Sequence, residues 1–186
     1  MLKNIIDYYA EVDAPGLRIK HTEKGLFLPS HLPHIIDAFK FLERMGYFKE
    51  GMTFCDAGSG DGRILAVAEA YGMRAFGIEF EETLCSQAKE NLSSLGIEAQ
   101  VLQGDFSEQE TFKEIPHIDI GFNYENNQRD AAKAMMLHSS DMIFLHHNIK
   151  KRPDGLPLRH ISSFPCVDFV NNYYLTGWFH LHGNQQ

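Results

Sequence analysis

Hydrophobic residues in the middle of the chain follow two alternating periods. Short apolar runs of strand length are followed by a glycine or polar turn, and then by apolar residues at helical spacing. This pattern predicts strands at residues 52–56, 74–79, 98–102, 117–123 and 141–147. It predicts helices at residues 61–71, 82–95, near 107–114 and 129–138. Because strands that alternate with helices pair in parallel through right-handed crossovers, we expect an α/β fold, a doubly wound open sheet with helices on both faces.

The beginning of the chain is predicted to be helical but separate from this alternation. An apolar stripe at helical spacing ends at Pro15, and a second helix is predicted to begin with Ser30 as its N-cap and to end at Gly46. We therefore predict an N-terminal helical appendage or lid at residues 1–29, followed by the main domain at residues 30–186.

The end of the chain also departs from the alternation. It contains two aromatic and β-branched runs, PCVDFVNN and YYLTGWFHLH, with no helical segment between them. Joined through Asn171 and Asn172, these runs predict a C-terminal antiparallel hairpin.

Composition narrows the classes of function. The 186 residues carry a net charge of −8, which disfavours a sequence-independent grip on nucleic-acid phosphates. The basic cluster at residues 150–152 is interpreted as a solvated loop, and no segment reaches membrane-spanning length. Three widely spaced cysteines indicate reduced, mostly buried thiols, so we expect a cytoplasmic protein with no membrane association.

Three glycines at alternate positions follow the first predicted strand, in the stretch TFCDAGSGDGRIL. Gly58, Gly60 and Gly62 let the backbone turn sharply and approach a ligand closely, at the sheet edge where doubly wound folds bind their ligands. A plain tight turn between strand and helix explains fewer of these features, since Asp56 precedes the glycines and Asp61 lies among them. The stretch therefore predicts a ligand-binding loop.

The acids around this loop indicate a cationic ligand. The dinucleotide fingerprint G-x-G-x-x-G needs a small residue where this chain has Arg63. An acidic loop matches a pyrophosphate poorly, whereas S-adenosylmethionine carries both a sulfonium and an ammonium group. Asp56 and the loop carbonyls can meet the amino-acid part of that molecule.

Two further acidic positions strengthen this prediction. Glu79 ends the second predicted strand, at a position where a carboxylate accepts hydrogen bonds from ribose hydroxyls. Asp105 follows the third predicted strand and can accept from the adenine amino group while Phe106 packs on the base. A capped helix start, with Asp105 or Ser107 as the cap, is by itself a good explanation of this stretch, but the glycine loop, Glu79 and Asp105 together are much more specific than any one of them.

The stretches FCDAGSGDGRI, GIE and GDF and the closing hairpin resemble class I S-adenosylmethionine-dependent methyltransferases over residues 30–182. The resemblance implies a Rossmann-like, mostly parallel sheet of seven strands whose last strand inserts antiparallel. The run FLPSHLPHIIDAFKFLERMG is similar to the region before the glycine loop in small protein-lysine methyltransferases, and similar glycine loops occur in non-SET histone-lysine methyltransferases. The predicted cofactor-binding residues are Asp56, Gly58, Ser59, Gly60, Asp61, Gly62, Glu79, Phe80, Asp105 and Phe106.

The end of the fourth predicted strand, FNYENNQ, lies where this class usually places the groups that hold the methyl acceptor. Asn123 can orient an amine, Tyr124 can line a narrow channel, and Glu125 can attract or deprotonate a cationic lysine, so these three are the predicted catalytic residues. The proline positions often found in amino-group methyltransferases are missing. A polar strand end that leads into a loop explains the stretch equally well.

The ten histidines do not predict a metal site. His146 and His147 are adjacent on the fifth predicted strand, so their side chains point to opposite faces of the sheet and do not chelate one ion easily. One of the two can face the acceptor pocket as a base.

These observations predict an S-adenosylmethionine-dependent methyltransferase that acts on a protein side chain such as lysine. The loops between the later strands are short, which favours a partner macromolecule whose own surface completes the site. One alternative is a small-molecule or RNA-base acceptor, and the acidic charge of the chain disfavours RNA. The other is a non-catalytic nucleotide-binding module.

Overall fold

The computed structural model describes residues 1–16, 18–124, 128–147, 156–170 and 173–184. Side chains are described for these residues except 128, 164–170, 173–179 and 184. The α-helices of the described residues are α1 Leu2–Asp13, α2 Leu32–Arg44, α3 Arg63–Ala70, α4 Glu82–Ser94 and α5 Gln128–His138, with a 3₁₀ helix at Gln109–Phe112. The strands are β1 Lys20–Thr22, β2 Gly25–Phe27, β3 Thr53–Ala57, β4 Arg74–Glu79, β5 Gln100–Gln103, β6 Ile120–Tyr124, β7 Ile143–His147, β8 Leu158–Val170 and β9 Tyr173–Asn184.

Seven of these strands form one sheet, in the order β5-β4-β3-β6-β7-β9-β8. The pairs from β5 to β7 are parallel, and β9 inserts antiparallel between β7 and β8. The predicted doubly wound, seven-stranded, mostly parallel sheet with a C-terminal antiparallel hairpin is therefore confirmed. The strand order reverses beside β3, which places the loop after β3 at the point where such sheets bind ligands.

The second helix begins later than the sequence predicts. His31 is the N-cap of α2, with an extended backbone, and Pro33 lies in the first turn. The prediction of Ser30 as N-cap is wrong, because Ser30 is part of the segment that packs on the main domain. Its carbonyl oxygen accepts a hydrogen bond from Nη1 of Arg63 at 3.3 Å.

A small antiparallel hairpin precedes α2 and was not predicted. It consists of β1 and β2, with Lys20 paired to Phe27 and Thr22 paired to Gly25. The hydroxyl of Thr22 donates a hydrogen bond to the carbonyl oxygen of Gly25 at 3.0 Å, which supports the turn. We call residues 20–27 the N-terminal hairpin.

The first helix packs on the same core as the sheet. Ile5 and Tyr9 of α1 are each 1% exposed and belong to one apolar cluster with Phe39 of α2, Phe54 of β3 and Leu65 of α3. A second apolar cluster lies on the opposite face of the sheet, under α5. No helix among the described residues is long and apolar enough to cross a membrane.

Candidate functional site

The glycine loop turns between the end of β3 and the start of α3 with an unusual backbone. Gly58, Gly60 and Gly62 all have positive φ, at 88°, 54° and 83°. Residues with a side chain rarely adopt this conformation. The amides of Gly58 and Ser59 both donate to the carbonyl oxygen of Ile78, at 2.8 and 3.0 Å, so the loop is fastened to the end of β4.

An open cleft of about 160 Å³ lies above the carboxyl ends of β3, β4 and β6. The glycine loop forms its floor and the N-terminal hairpin forms one wall. Of the predicted site residues, those that line it are Gly58, Ser59, Gly60, Asp61, Glu79, Phe80, Phe106, Asn123 and Tyr124. Asp56, Gly62 and Asp105 are not among the lining residues, and Glu125 lies outside the described residues.

Asp56 is a buried carboxylate in β3, directly before the glycine loop. It is 1% exposed, and neither of its oxygens has a hydrogen-bond partner among the described residues. Burial, together with the charges of Glu79 and Asp61, raises the pKa of Asp56 well above its usual value. A cationic group that reached this carboxylate would therefore be strongly favoured.

Glu79 ends β4 and holds the glycine loop in place. Its Oε2 accepts a hydrogen bond from the amide of Gly60 at 2.8 Å, and its Oε1 accepts one from the amide of Glu81 at 2.9 Å. Burial raises the pKa of Glu79, and these backbone hydrogen bonds partly offset the effect. Both carboxylate oxygens have further lone pairs that can accept hydrogen bonds from a ligand.

Asp105 is occupied by protein groups in this structure. Its Oδ1 accepts hydrogen bonds from the amide and the hydroxyl of Ser107, at 2.8 and 2.7 Å, and its Oδ2 forms an ion pair with Nζ of Lys24 at 2.6 Å. Burial acts in the opposite direction, but the hydrogen bonds from Lys24 and Ser107 hold the pKa of Asp105 below its usual value. The alternative of a helix start capped by Asp105 or Ser107 is wrong, because these two residues bond each other in a turn that precedes the helix. The 3₁₀ helix itself begins later, with Glu108 as its N-cap.

Asp61 is also occupied, through a network that reaches α1. Its carboxylate accepts hydrogen bonds from Nε and Nη2 of Arg63, at 2.9 and 2.7 Å. Nη1 and Nη2 of Arg63 donate in turn to the two carboxylate oxygens of Asp13, at 2.8 and 2.9 Å. Burial alone would lower the pKa of Arg63, but its hydrogen bonds to Asp13 and Asp61 outweigh that effect and raise it.

The end of β6 contributes Asn123 and Tyr124 to the lining of the cleft. Nδ2 of Asn123 donates to the carbonyl oxygen of Ala57 at 2.7 Å, which fixes the orientation of the amide. Its Oδ1 is buried and has no hydrogen-bond partner among the described residues. The ring of Tyr124 stacks on that of His147, with centroids 4.9 Å apart.

His147 and His146 lie on opposite faces of β7, as the sequence predicts. His147 lies between Tyr124 and His34, on the face covered by α2, and burial together with the neighbouring His34 and His180 lowers its pKa to about 4. His146 lies on the other face, where its Nε2 shares a hydrogen bond with Nε2 of His182 at 3.1 Å. No group of three or more metal-ligating side chains suited to an ion occurs in the described part of the chain.

Sequence reasoning missed the contribution of the N-terminal hairpin to the cleft. Lys24 lies 4.9 Å from the ring centroid of Phe80, in addition to its ion pair with Asp105. The ring of Phe27 packs so closely on Gly60 that a Cβ there would lie 2.5 Å from it. The sequence feature that could have predicted this hairpin is the Lys24-Gly25 pair, which lies between two short segments that can form strands. Such a pair is typical of a tight turn.

Solved structures of methyltransferases share this fold at low sequence identity. Precorrin-6y C5,15-methyltransferase from Geobacter metallireducens GS-15 is 10% identical with a TM-score of 0.62, and the match covers 91% of this chain and 95% of that one. Magnesium protoporphyrin IX methyltransferase from Synechocystis PCC 6803, solved with bound SAM, is 12% identical with a TM-score of 0.59, covering 82% and 79% of the two chains.

A third similar structure is a mutant of MtNAS in complex with S-adenosylmethionine, which is 14% identical with a TM-score of 0.61. That match covers 82% of this chain but 63% of the other, so this chain spans less than two thirds of the length of MtNAS. No curated protein gives a significant match.

A family model described as a methyltransferase domain matches residues 48–151, more than half of the 186-residue chain. The matched region contains the glycine loop, Glu79, Asp105 and the end of β6, so it includes most of the cleft described above. Fold and family agree, and the chain therefore belongs to the methyltransferase domain family.

Proposed function

We propose that the cleft binds S-adenosylmethionine and that the protein methylates an amine of a protein side chain, such as that of lysine. When bound, S-adenosylmethionine supplies a methyl group attached to a positively charged sulfur. The protein's own residues hold the donor, orient the acceptor and exclude water around both.

The residues of the donor side match the chemistry of this cofactor. The buried carboxylate of Asp56 suits the ammonium group, and Gly58 and Gly60 let the amino-acid part lie close to the backbone once the ring of Phe27 moves aside with the hairpin. Glu79 suits the ribose hydroxyls, and the rings of Phe80 and Phe106 suit the adenine base. Ser59, Asp61 and Gly62 shape the loop, and Asp105 can reach the adenine amine once Lys24 moves aside.

The observation that supports an amine as the methyl acceptor is the hydrogen bonding of the Asn123 side chain. Its amide group is fixed by Ala57, while its Oδ1 is buried at the cleft without a described hydrogen-bond partner. A buried acceptor atom of this kind favours a ligand that donates an N–H group. Beside it, the ring of Tyr124 offers an apolar surface for the alkyl part of a lysine side chain.

A protein acceptor is supported by how little of the described part of the chain encloses the cleft beside Asn123 and Tyr124. Besides the residues at and after the ends of β3, β4, β5 and β6, the lining is supplied by the short N-terminal hairpin, Leu28 and Ser30. A long, thin side chain on the surface of a partner fits an open cleft of this kind. The cytoplasmic location expected from the cysteines remains part of this proposal.

The experiment is to incubate the purified protein with methyl-labelled S-adenosylmethionine and cell lysate, and to locate the label by gel and mass spectrometry. We expect a labelled protein band with the label on lysine. Asn123→Ala, Tyr124→Ala and Glu125→Gln should each slow labelling while donor affinity stays near that of the wild type, because they hold the acceptor. Asn4→Ala, an exposed change on α1, is the matched control.

The second candidate is a small-molecule acceptor. It is favoured by the similarity in fold to the precorrin and magnesium protoporphyrin IX enzymes. Label in the low-molecular-weight fraction would support it against the lysine proposal, and label in RNA would support a base acceptor. Donor binding without any labelled product would support the non-catalytic module.

Residues 1–29 are proposed to act as a lid over the donor. Lys24 and Phe27 reach across the cleft to Asp105, Phe80 and Gly60. The cleft of about 160 Å³ that they leave is smaller than the roughly 300–1,000 Å³ of most small-molecule pockets. Donor entry is therefore expected to move the hairpin.

A further inference from the structure

Arg63 is a buried arginine that joins three segments of the chain. It opens α3, and its side chain is 4% exposed. The guanidinium forms bidentate hydrogen bonds with Asp13 at the end of α1 and contacts both carboxylate oxygens of Asp61 in the glycine loop. It also donates to the carbonyl oxygen of Ser30 and lies 4.8 Å from the ring centroid of Tyr9.

The backbone of Asp61 is held by the same neighbourhood. Its carbonyl oxygen accepts hydrogen bonds from the hydroxyl of Tyr9 at 3.2 Å and from Nδ2 of Asn91 at 2.9 Å. The hydroxyl of Tyr8 donates to Oδ1 of Asn91 at 2.9 Å, which ties α4 to α1 as well. Both the side chain and the carbonyl of Asp61 are therefore engaged by protein groups.

This arrangement depends on the shape and charge of an arginine. The planar fork of a guanidinium can meet two carboxylates at once, whereas a lysine ammonium is a point charge that cannot reproduce these contacts. Removing one partner of a buried ion pair leaves the other charge uncompensated, which disturbs its surroundings strongly. Such a change would affect the glycine loop most, because Asp61 lies between Gly60 and Gly62.

We propose that Arg63 is a positioning residue for donor binding and that α1, through Asp13 and Tyr9, is part of the donor site. The proposal rests on the proposed function of the cleft. It means that a segment outside the matched methyltransferase domain, residues 1–30, sets the conformation of the loop that holds the donor. Asp13 acts through Arg63, because it does not line the cleft described here.

The test measures the affinity for S-adenosylmethionine by isothermal titration calorimetry, together with the melting temperature. Asp13→Ala should weaken donor binding on the order of tenfold, as expected for the loss of hydrogen bonds to a charged group. Arg63→Lys should weaken it at least as much, and Tyr9→Phe should weaken it less. In the transfer assay, Asp13→Ala should raise the KM for the donor more than it lowers kcat.

Two controls on the same helix separate positioning from a general loss of stability. Asp7→Ala removes an exposed ion pair with Lys3 and should leave both measurements unchanged. Ile5→Val removes one buried methylene group, so it should lower the melting temperature while keeping the affinity for the donor. Asp13→Glu should restore part of the affinity, because it returns a carboxylate to Arg63.

Unchanged donor affinity in Asp13→Ala and Arg63→Lys would overturn the inference. So would an equal loss in Ile5→Val at a similar melting temperature, because the effect would then be one of stability. These outcomes differ from a failure of the proposed donor cleft, in which the wild-type protein itself would not bind S-adenosylmethionine.

Discussion

At the residue scale, the glycine loop combines an unusual backbone with a close neighbour. Gly60 has φ 54°, and the ring of Phe27 occupies the space where a Cβ would lie. The structure thus gives a second reason for glycine at this position. In this structure the ring of Phe27 occupies the space above Gly60 that we propose for the donor.

Gly60→Ala is expected to lower both the stability and the affinity for the donor, because it combines backbone strain with a clash against Phe27. Gly96→Ala is the matched control, since Gly96 also has positive φ, 65°, but has open space around it. Strain alone costs about 1–2 kcal/mol, so Gly96→Ala should lower the free energy of unfolding by that amount and leave donor binding intact. Equal effects of the two variants on urea unfolding and on titration calorimetry would contradict this view of Gly60.

Glu79 accepts hydrogen bonds that hold the glycine loop and, as we propose, also accepts hydrogen bonds from the ribose hydroxyls. Glu79→Gln keeps the size but replaces one acceptor oxygen by a donor, which then faces the amide of Gly60 or Glu81. We expect donor affinity to fall by about 1.5–3 kcal/mol, the range for hydrogen bonds to a charged group. Titration calorimetry measures it, with the exposed Glu82→Gln as control. An affinity equal to that of the wild type would remove Glu79 from the donor site.

At the element scale, the N-terminal hairpin has few backbone hydrogen bonds of its own. Its two strands have three residues each, and its further contacts are made by side chains. Lys20 forms an ion pair with Glu81 at 3.6 Å, and Lys24 forms one with Asp105. An element held in this way can open without disturbing the sheet.

Lys24→Met is expected to raise the affinity for the donor, because Lys24 and the adenine amine would compete for Asp105. The salt dependence of donor binding should also decrease, because the variant lacks the ion pair between Lys24 and Asp105 that added salt weakens. Lys20→Met, on the same hairpin but paired with Glu81, should change donor affinity less. The measurement is a titration at low and high salt. Weaker binding by Lys24→Met would mean that Lys24 closes over the bound donor instead of competing with it.

At the scale of the whole molecule, histidines are buried on both faces of the sheet next to the C-terminal hairpin. His146 is 0% exposed, and burial together with the neighbouring His182, His180, His147 and His160 lowers its pKa to about 3. Such a histidine is neutral in the folded protein under ordinary conditions. Its protonation therefore favours the unfolded chain.

The stability of the protein is accordingly expected to fall in acid. The unfolded pKa of histidine is about 6.5, so below that pH the unfolded state binds more protons than the folded one. For His146 the stability is lost as the pH falls from about 6.5 and levels off only near its folded pKa, about 3. The slope is at most about 1.4 kcal/mol per pH unit for each such histidine. The raised pKa values of Asp56 and Glu79 act in the opposite direction, so a difference between variants is the cleaner measure.

His146→Gln should make the free energy of unfolding less dependent on pH between about 6.5 and 4. Asn4→Ala, an exposed change on α1 that removes no titratable group, should leave the pH dependence as it is in the wild type. Urea unfolding at several pH values measures both. An unchanged slope in His146→Gln would mean that this histidine takes up protons in the folded state.

Much of the fold and part of the site could be predicted because they depend on local pattern. The β4 prediction matched the observed strand Arg74–Glu79, and the neighbouring helices and strands were found within a few residues. The glycine loop and Glu79 were found because a parallel sheet brings the ends of its strands together at one edge. The assignment of individual residues to donor and acceptor remains a prediction.

By itself, then, the sequence determined the alternation of strands and helices, the glycine loop and the burial of most apolar side chains. Each of these features depends on the spacing of residues along the chain. Only the tertiary structure decided how the polar residues pair. Asp13 and Arg63 are separated by 50 positions, and Lys24 meets Asp105 across the cleft. The hairpin strands are too short to show a period, and the carbonyl oxygen of Ser30 bonds Arg63, a residue 33 positions further along the chain. Such pairings depend on which surfaces the fold brings together in three dimensions, and no local rule of spacing contains that information.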